Sequence, residues 1–142
     1  RLKIIEKYLD DTFLLTYGDG LADLNINNLI KSHKKSKKLM TITAVPTPGR
    51  WGNINIKNNK IKNFSEKPTQ TTDFINGGFF IVNPKTLKFI KKGKKNIRWE
   101  KEVLEILVKK KQINPFIHKG FWKAVDTIND KEQLEILLKK NK

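Results

Sequence analysis

The chain has 142 residues, 37% of them hydrophobic, and a formal charge of +16 from 30 Lys plus Arg against 14 Asp plus Glu. That is enough apolar material for one domain burying roughly two-thirds of its unfolded surface, and no apolar run approaches the ~18 residues needed to cross a bilayer. Cysteine is absent and only two histidines occur, His33 and His118, which excludes a disulfide framework, a thiolate metal site and a histidine cluster, so any bound metal must be held by oxygen.

No signal-peptide core follows Arg1-Leu2-Lys3, and the expectation is a soluble, cytoplasmic protein without membrane partners. The opening stretch Leu2 to Leu9 already has helical spacing of apolar residues with no N-cap before it, so the chain is expected to begin inside an element. The charge invites a nucleic-acid reading, because clustered cations neutralise phosphates and release counterions. Among the 30 basic residues, however, only Arg1, Arg50 and Arg98 are arginine, the preferred reader of base edges. Lysine bias explains the charge better than a selected nucleic-acid surface.

Thr12 to Tyr17 reads as a buried strand stopping at the tight turn Gly18-Asp19-Gly20. Asn25 to Lys38 follows as an amphipathic helix with Ile26, Leu29 and Ile30 on one face and Asp23 or Asn25 as its cap. Leu39 to Val45 is the next strand, ended by Pro46-Thr47-Pro48-Gly49. Asn53 to Lys57 and Lys60 to Phe64 alternate around Asn58-Asn59 as a hairpin. Phe74 to Val82 is an apolar strand interrupted by Gly77-Gly78, and Pro84 starts a short helix to Ile90. Trp99, Val103, Ile106 and Leu107 mark a helix face, with Glu100 assigned to packing and capping there. Ile113 to His118 and Trp122 to Val125 are strands, and Leu134, Leu137 and Leu138 belong to a closing helix that Asp130 could cap. Strands separated by helices, with one hairpin, predict a single α/β layer structure over 1–142 with a mixed, largely parallel sheet.

Two aspartates end apolar strands, Asp19 and Asp126. Brought together they suit magnesium, which takes a few carboxylates and fills its sphere with water and phosphate oxygens; alternatively Asp19 only forms a turn and Asp126 only caps a helix. Lys67, held extended by Pro68, could pair with a sugar phosphate while Glu66 accepts sugar hydroxyls, or the two are a solvated surface pair. Asn76-Gly77-Gly78 marks either a bulge or a close ligand. Gly49-Arg50-Trp51-Gly52 is either a close backbone approach or the turn into the hairpin. Trp122 with Phe121 either floors a sugar site or packs in the core. His33 and His118 read as surface or satisfied residues.

In order, Phe13-Leu14-Leu15-Thr16-Tyr17-Gly18-Asp19-Gly20, Gly49-Arg50-Trp51-Gly52, Phe64-Ser65-Glu66-Lys67-Pro68, Ile75-Asn76-Gly77-Gly78-Phe79-Phe80 and Gly120-Phe121-Trp122 through Asp126-Thr127 resemble the glucose-1-phosphate cytidylyltransferases of the sugar-phosphate nucleotidyltransferase family. The resemblance implies a partial Rossmann-like nucleotidyltransferase fold and transfer of a cytidylyl group from CTP to glucose 1-phosphate. It implies Asp19 and Asp126 as ligands of Mg2+ and catalytic with Lys67, which meets the sugar phosphate. Glu66, Asn76, Trp122 and the Gly52 and Gly77 backbones would surround the sugar, and Gly18 would line the nucleotide side. Trp51, Val125 and Val103 depart from the family's usual Phe, Met and Pro without removing a charged site residue. The family's N-terminal glycine-rich phosphate loop has no counterpart, so the chain is expected to be the C-terminal part of a longer, homo-oligomeric enzyme and inactive alone. A noncatalytic subunit of the same fold and a basic nucleic-acid-binding module stand as the alternatives.

Overall fold

The computed structural model describes residues 2–46, 53–57, 60–65, 74–90 and 99–140, with the backbone alone over 53–57 and 60–65 and at 101 and 140. In chain order the elements are α1 (Leu2–Ile5), a 3-10 turn (Glu6–Tyr8), β1 (Phe13–Thr16), β2 (Gly20–Ala22), α2 (Ile26–Ser36), β3 (Met40–Pro46), β4 (Asn53–Lys57) and β5 (Lys60–Ser65). Then come β6 (Phe74–Val82), a 3-10 helix (Pro84–Phe89), a π-helical turn (Glu100–Leu104), α3 (Glu105–Lys109), β7 (Ile113–Ile117), β8 (Trp122–Ala124) and α4 (Ile128–Lys140).

The main sheet has the order β1-β6-β3-β7. β6 runs antiparallel to β1 and β3, and β7 runs parallel to β3. Three strands therefore share one direction and β6 alone opposes them, so the sheet is mixed as expected, but because β6 sits between β1 and β3 only the β3-β7 pairing is parallel. Two further pairs stand apart: the expected hairpin β4-β5 and an antiparallel ribbon β2-β8. The hairpin's Asn58-Asn59 connection lies outside the described residues.

One face of the sheet carries the main core, in which Met40, Phe80, Val82, Leu87, Ile90, Val103 and Leu107 are buried together, each side chain contributing roughly 1.5–3 kcal/mol. The expected helix face delivers Val103 and Leu107 to it, both with 0% exposure. On the other face lies α2. Asn25, not Asp23, caps it, accepting the Asn28 N–H at 2.9 Å, and Lys37 ends it in the left-handed conformation. Its buried His33 pairs through Nδ1 with Thr41 Oγ1 at 2.9 Å, and Asn114 donates to both Ser32 (3.0 Å) and Thr41 (3.3 Å). His33 is thus a satisfied interior residue tying α2 to β3, and burial lowers its pKa.

The closing helix is capped differently from the expectation. Thr127 Oγ1 accepts the Asp130 N–H at 3.1 Å, and the Asp130 carboxylate in turn accepts the Thr127 N–H at 3.0 Å. Thr127 is therefore the N-cap and Asp130 its third-position partner, a reciprocal capping box.

Candidate active site

β1 ends at Thr16, and the turn Gly18-Asp19 passes the chain into β2. β2 pairs with β8 in the register Gly20↔Ala124, Leu21↔Lys123 and Ala22↔Trp122. The pairing continues past the strand ends, since the Val125 N–H donates to the Asp19 carbonyl at 2.8 Å. Asp19 and Asp126, far apart in sequence, therefore emerge at the same end of one ribbon, and both are exposed. The capping of α4 by Thr127 and Asp130 does not use Asp126 as its cap residue.

The ribbon leans on the bulge of β6. Along β3, Ile42 pairs with Phe80 but Ala44 pairs with Asn76, so β6 carries extra residues at Gly77 to Phe79. Both glycines have tertiary reasons. A Cβ on Gly77 would meet Val45 Cγ1 at 2.9 Å, and the Gly77 carbonyl accepts the Trp122 indole N–H at 2.9 Å. Gly78 has φ +78° with the Tyr17 ring across it, where a Cβ would lie 2.8 Å from Tyr17 Cδ2, and its carbonyl accepts the Tyr17 N–H at 3.1 Å. The interrupted strand is thus a bulge that seats Trp122 on Gly77 and Tyr17 on Gly78, and the half-buried Trp122 is a bridge between ribbon and sheet.

Asn76 sits at the same place. Its Oδ1 accepts the Gly78 N–H at 2.9 Å and its Nδ2 donates to the Tyr17 hydroxyl at 3.2 Å. The Tyr17 hydroxyl in turn donates to the Glu100 carboxylate. Burial, reinforced by this bond to Glu100, pushes the Tyr17 phenol above its ordinary pKa range. Glu100, assigned from sequence to helix packing and capping, belongs instead to the site's hydrogen-bond network, and it opens the π-helical turn, a distortion often found at functional sites.

A second brace holds the loop before β8. His118 Nε2 lies 3.0 Å from Asp23 Oδ1 and 3.1 Å from the Phe121 carbonyl, and that carbonyl also accepts the Asp23 N–H at 3.1 Å. A Cβ on Gly120 would come within 2.8 Å of His118, so the brace requires glycine there.

The structure thus places Asp19, with Gly18 before it, and Asp126 at one end of the ribbon, and joins Trp122, at the other end, to Gly77 next to Asn76. Gly49-Arg50-Trp51-Gly52, Glu66 and Lys67 lie outside the described residues. Among the described residues no group of three or more His, Asp or Glu side chains could hold a metal ion by itself. Carboxylate oxygens are the donor type that a hard cation takes together with water and substrate oxygens. No helix among the described residues is long and apolar enough to cross a membrane.

A mixed sheet with an aspartate-bearing ribbon beside a bulged strand defines the class: the chain belongs to the nucleotidyltransferase family, whose model, described as Nucleotidyl transferase, matches residues 2–138. Within it, the chain is 42% identical over 144 residues to the glucose-1-phosphate cytidylyltransferase of Salmonella typhimurium, covering 100% of this chain and 55% of that protein. It is 31% identical over 138 residues to the mannose-1-phosphate guanyltransferase of Hypocrea jecorina, covering 91% of this chain and 37% of the relative. The chain thus spans about half the length of the glucose-1-phosphate cytidylyltransferases it matches. In fold it is similar to the inositol-1-phosphate CTP transferase from T. maritima, with a TM-score of 0.61 at 19% identity, covering 97% of this chain and 60% of that one.

Proposed function

We propose that this chain supplies the sugar-phosphate side of a cytidylyltransferase acting on CTP and glucose 1-phosphate to give CDP-glucose and pyrophosphate. The observation that carries the reading is the ribbon pairing that sets Asp19 and Asp126 at one end, with Trp122, at the other end, bonded to the Gly77 carbonyl next to Asn76. Its strength beyond the family is the 42% identity to a glucose-1-phosphate cytidylyltransferase along the whole chain.

In this reading a phosphate oxygen of the sugar 1-phosphate forms a new bond to the α-phosphorus of CTP. The bond from that phosphorus to the bridging oxygen breaks, and pyrophosphate leaves with the electron pair. Such transfers depend on positioning and charge neutralisation more than on covalent chemistry by the protein. Asp19 and Asp126 would hold Mg2+, which when bound neutralises phosphate charge. Lys67 meets the sugar phosphate, and Glu66, Asn76, Trp122 and the Gly52 and Gly77 backbones surround the sugar, with Gly18 on the nucleotide side.

The 142 residues contain no glycine-rich loop to cradle a triphosphate with backbone N–H groups. We therefore place the triphosphate grip on a further stretch of polypeptide, and homo-oligomers, a cytoplasmic location and supply of CDP-glucose for surface-polysaccharide dideoxysugars complete the proposal.

The test is CTP-dependent pyrophosphate release from glucose 1-phosphate with magnesium, by this chain and by an upstream-extended form. Turnover in the extended form, lost in Asp19→Asn and Asp126→Asn at unchanged helicity, is the expected result. An extended form with a glycine-rich loop that still gives no pyrophosphate would refute it.

A further inference from the structure

Glu100 lies 83 residues from Tyr17 in sequence, yet its carboxylate accepts the Tyr17 hydroxyl. The aromatic packing beneath explains how the two are held in place. Phe80, only 1% exposed, meets Tyr17 edge-on with centroids 5.5 Å apart and Trp99 edge-on at 6.2 Å. One buried ring thus anchors both Tyr17 and the residue preceding Glu100.

Donor and acceptor roles in the chain are then set. A carboxylate only accepts, so the Tyr17 hydroxyl must give its single proton to Glu100. Its oxygen is left as an acceptor, and Asn76 must present its Nδ2 there. The Gly78 N–H demands Oδ1 on the other side of the same amide. Asn76 cannot flip without losing both bonds. It retains one Nδ2–H and one Oδ1 lone pair, a donor and an acceptor on one planar group, which suits a hydroxyl that both accepts and donates.

We propose that Glu100 is a positioning residue for sugar binding: through Tyr17 it locks the Asn76 carboxamide so that its remaining donor and acceptor meet a hydroxyl of the sugar phosphate. The inference rests on the assignment of Asn76 to the sugar site. It adds a residue, and a specificity for hydroxyl-bearing ligands, since a group built to bond a hydroxyl discriminates against ligands that lack it.

Two measurements on the 142-residue chain separate the parts. The first needs no ligand. In 1H–15N spectra the Asn76 carboxamide protons, assigned by their loss in Asn76→Ser, exchange slowly in the wild type, at least threefold faster in Glu100→Ala and Tyr17→Phe, and at the wild-type rate in Glu100→Gln, whose amide oxygen still accepts. The second is titration with glucose 1-phosphate. Glu100→Ala and Tyr17→Phe bind about tenfold more weakly, about 1.4 kcal/mol, and Glu100→Gln within about twofold of wild type. A merely structural role would lower thermal stability without this rescue. Equal affinity in wild type, Glu100→Ala and Tyr17→Phe overturns the proposal, as does a Gln variant as weak as the Ala variant. A wild type that binds no glucose 1-phosphate refutes the sugar-site reading instead, and the exchange rates then decide the Glu100 relay alone: equal rates in all variants overturn it.

Discussion

Gly78→Ala places a methyl group where the backbone conformation and the space both oppose it. At φ +78° an L-residue costs on the order of 1–2 kcal/mol. The new Cβ would also lie 2.8 Å from Tyr17 Cδ2, and a ring wedged against Phe80 yields only with an overpacking cost of about 1–3 kcal/mol. The expected loss is therefore about 3 kcal/mol, lowering Tm by on the order of 10 °C. Urea denaturation followed by circular dichroism measures it, with Gly18→Ala as the control, because a Cβ there meets nothing within 4 Å. The two causes separate in a Tyr17→Ala background, where only the backbone part should remain, so Gly78→Ala should cost about 1–2 kcal/mol there. A Gly78→Ala penalty equal in both backgrounds, or no larger than that of Gly18→Ala, would refute the argument that Tyr17 dictates the glycine.

Leu107→Ala, at a fully buried site, should cost about 2–5 kcal/mol, while Leu137→Ala on α4, where Leu137 is 41% exposed, should change stability by less than about 0.5 kcal/mol; equilibrium unfolding of the two variants checks the contrast. Thr127→Ala removes the cap of α4 and should cost about 1 kcal/mol, seen as a loss of helical ellipticity in thermal melts. His33 titrates below its ordinary value because it is buried. Its unfolded form therefore binds a proton first as pH falls, and stability should drop from about pH 6.5 downward until the folded pKa is passed. His33→Gln should flatten that part of the stability profile, and an unchanged slope between pH 7 and 5 would contradict it.

Local pattern made most elements legible. Apolar runs gave β3 and β6, alternation gave the β4-β5 hairpin, Asn25 and Pro84 marked two helix starts, and the spacing of Trp99, Val103 and Leu107 marked a buried helix face. Asp19 and Asp126 stood out because each ends an apolar strand. What the sequence left open was tertiary. Nothing local says that Gly77 is needed against Val45 and Gly78 against Tyr17, so bulge and ligand contact could not be told apart. Glu100 offered no periodic signal for its bond to Tyr17, because the partners meet only through Phe80 and Trp99. Asp130 and Thr127 were both visible, but which caps and which answers depends on backbone geometry that either residue permits.

The bulge in β6 explains why the site is built where it is. A regular strand offers alternate side chains to opposite faces and keeps its carbonyls in the ladder. By carrying extra residues against β3, β6 leaves the Gly77 carbonyl to Trp122, while the Gly78 carbonyl accepts the Tyr17 N–H in continuation of the β1-β6 register. The first bond ties down the strand that leads to Asp126, and the second ties down the residue two before Asp19. The bulge therefore holds the strand that leads to Asp126, and the ladder beside it holds the residue that leads to Asp19, with Asn76 bonded to that same Tyr17 at the start of the bulge. Disturbing the bulge should shift the two carboxylates and the amide together, whereas removing a single carboxylate should leave the other groups in place.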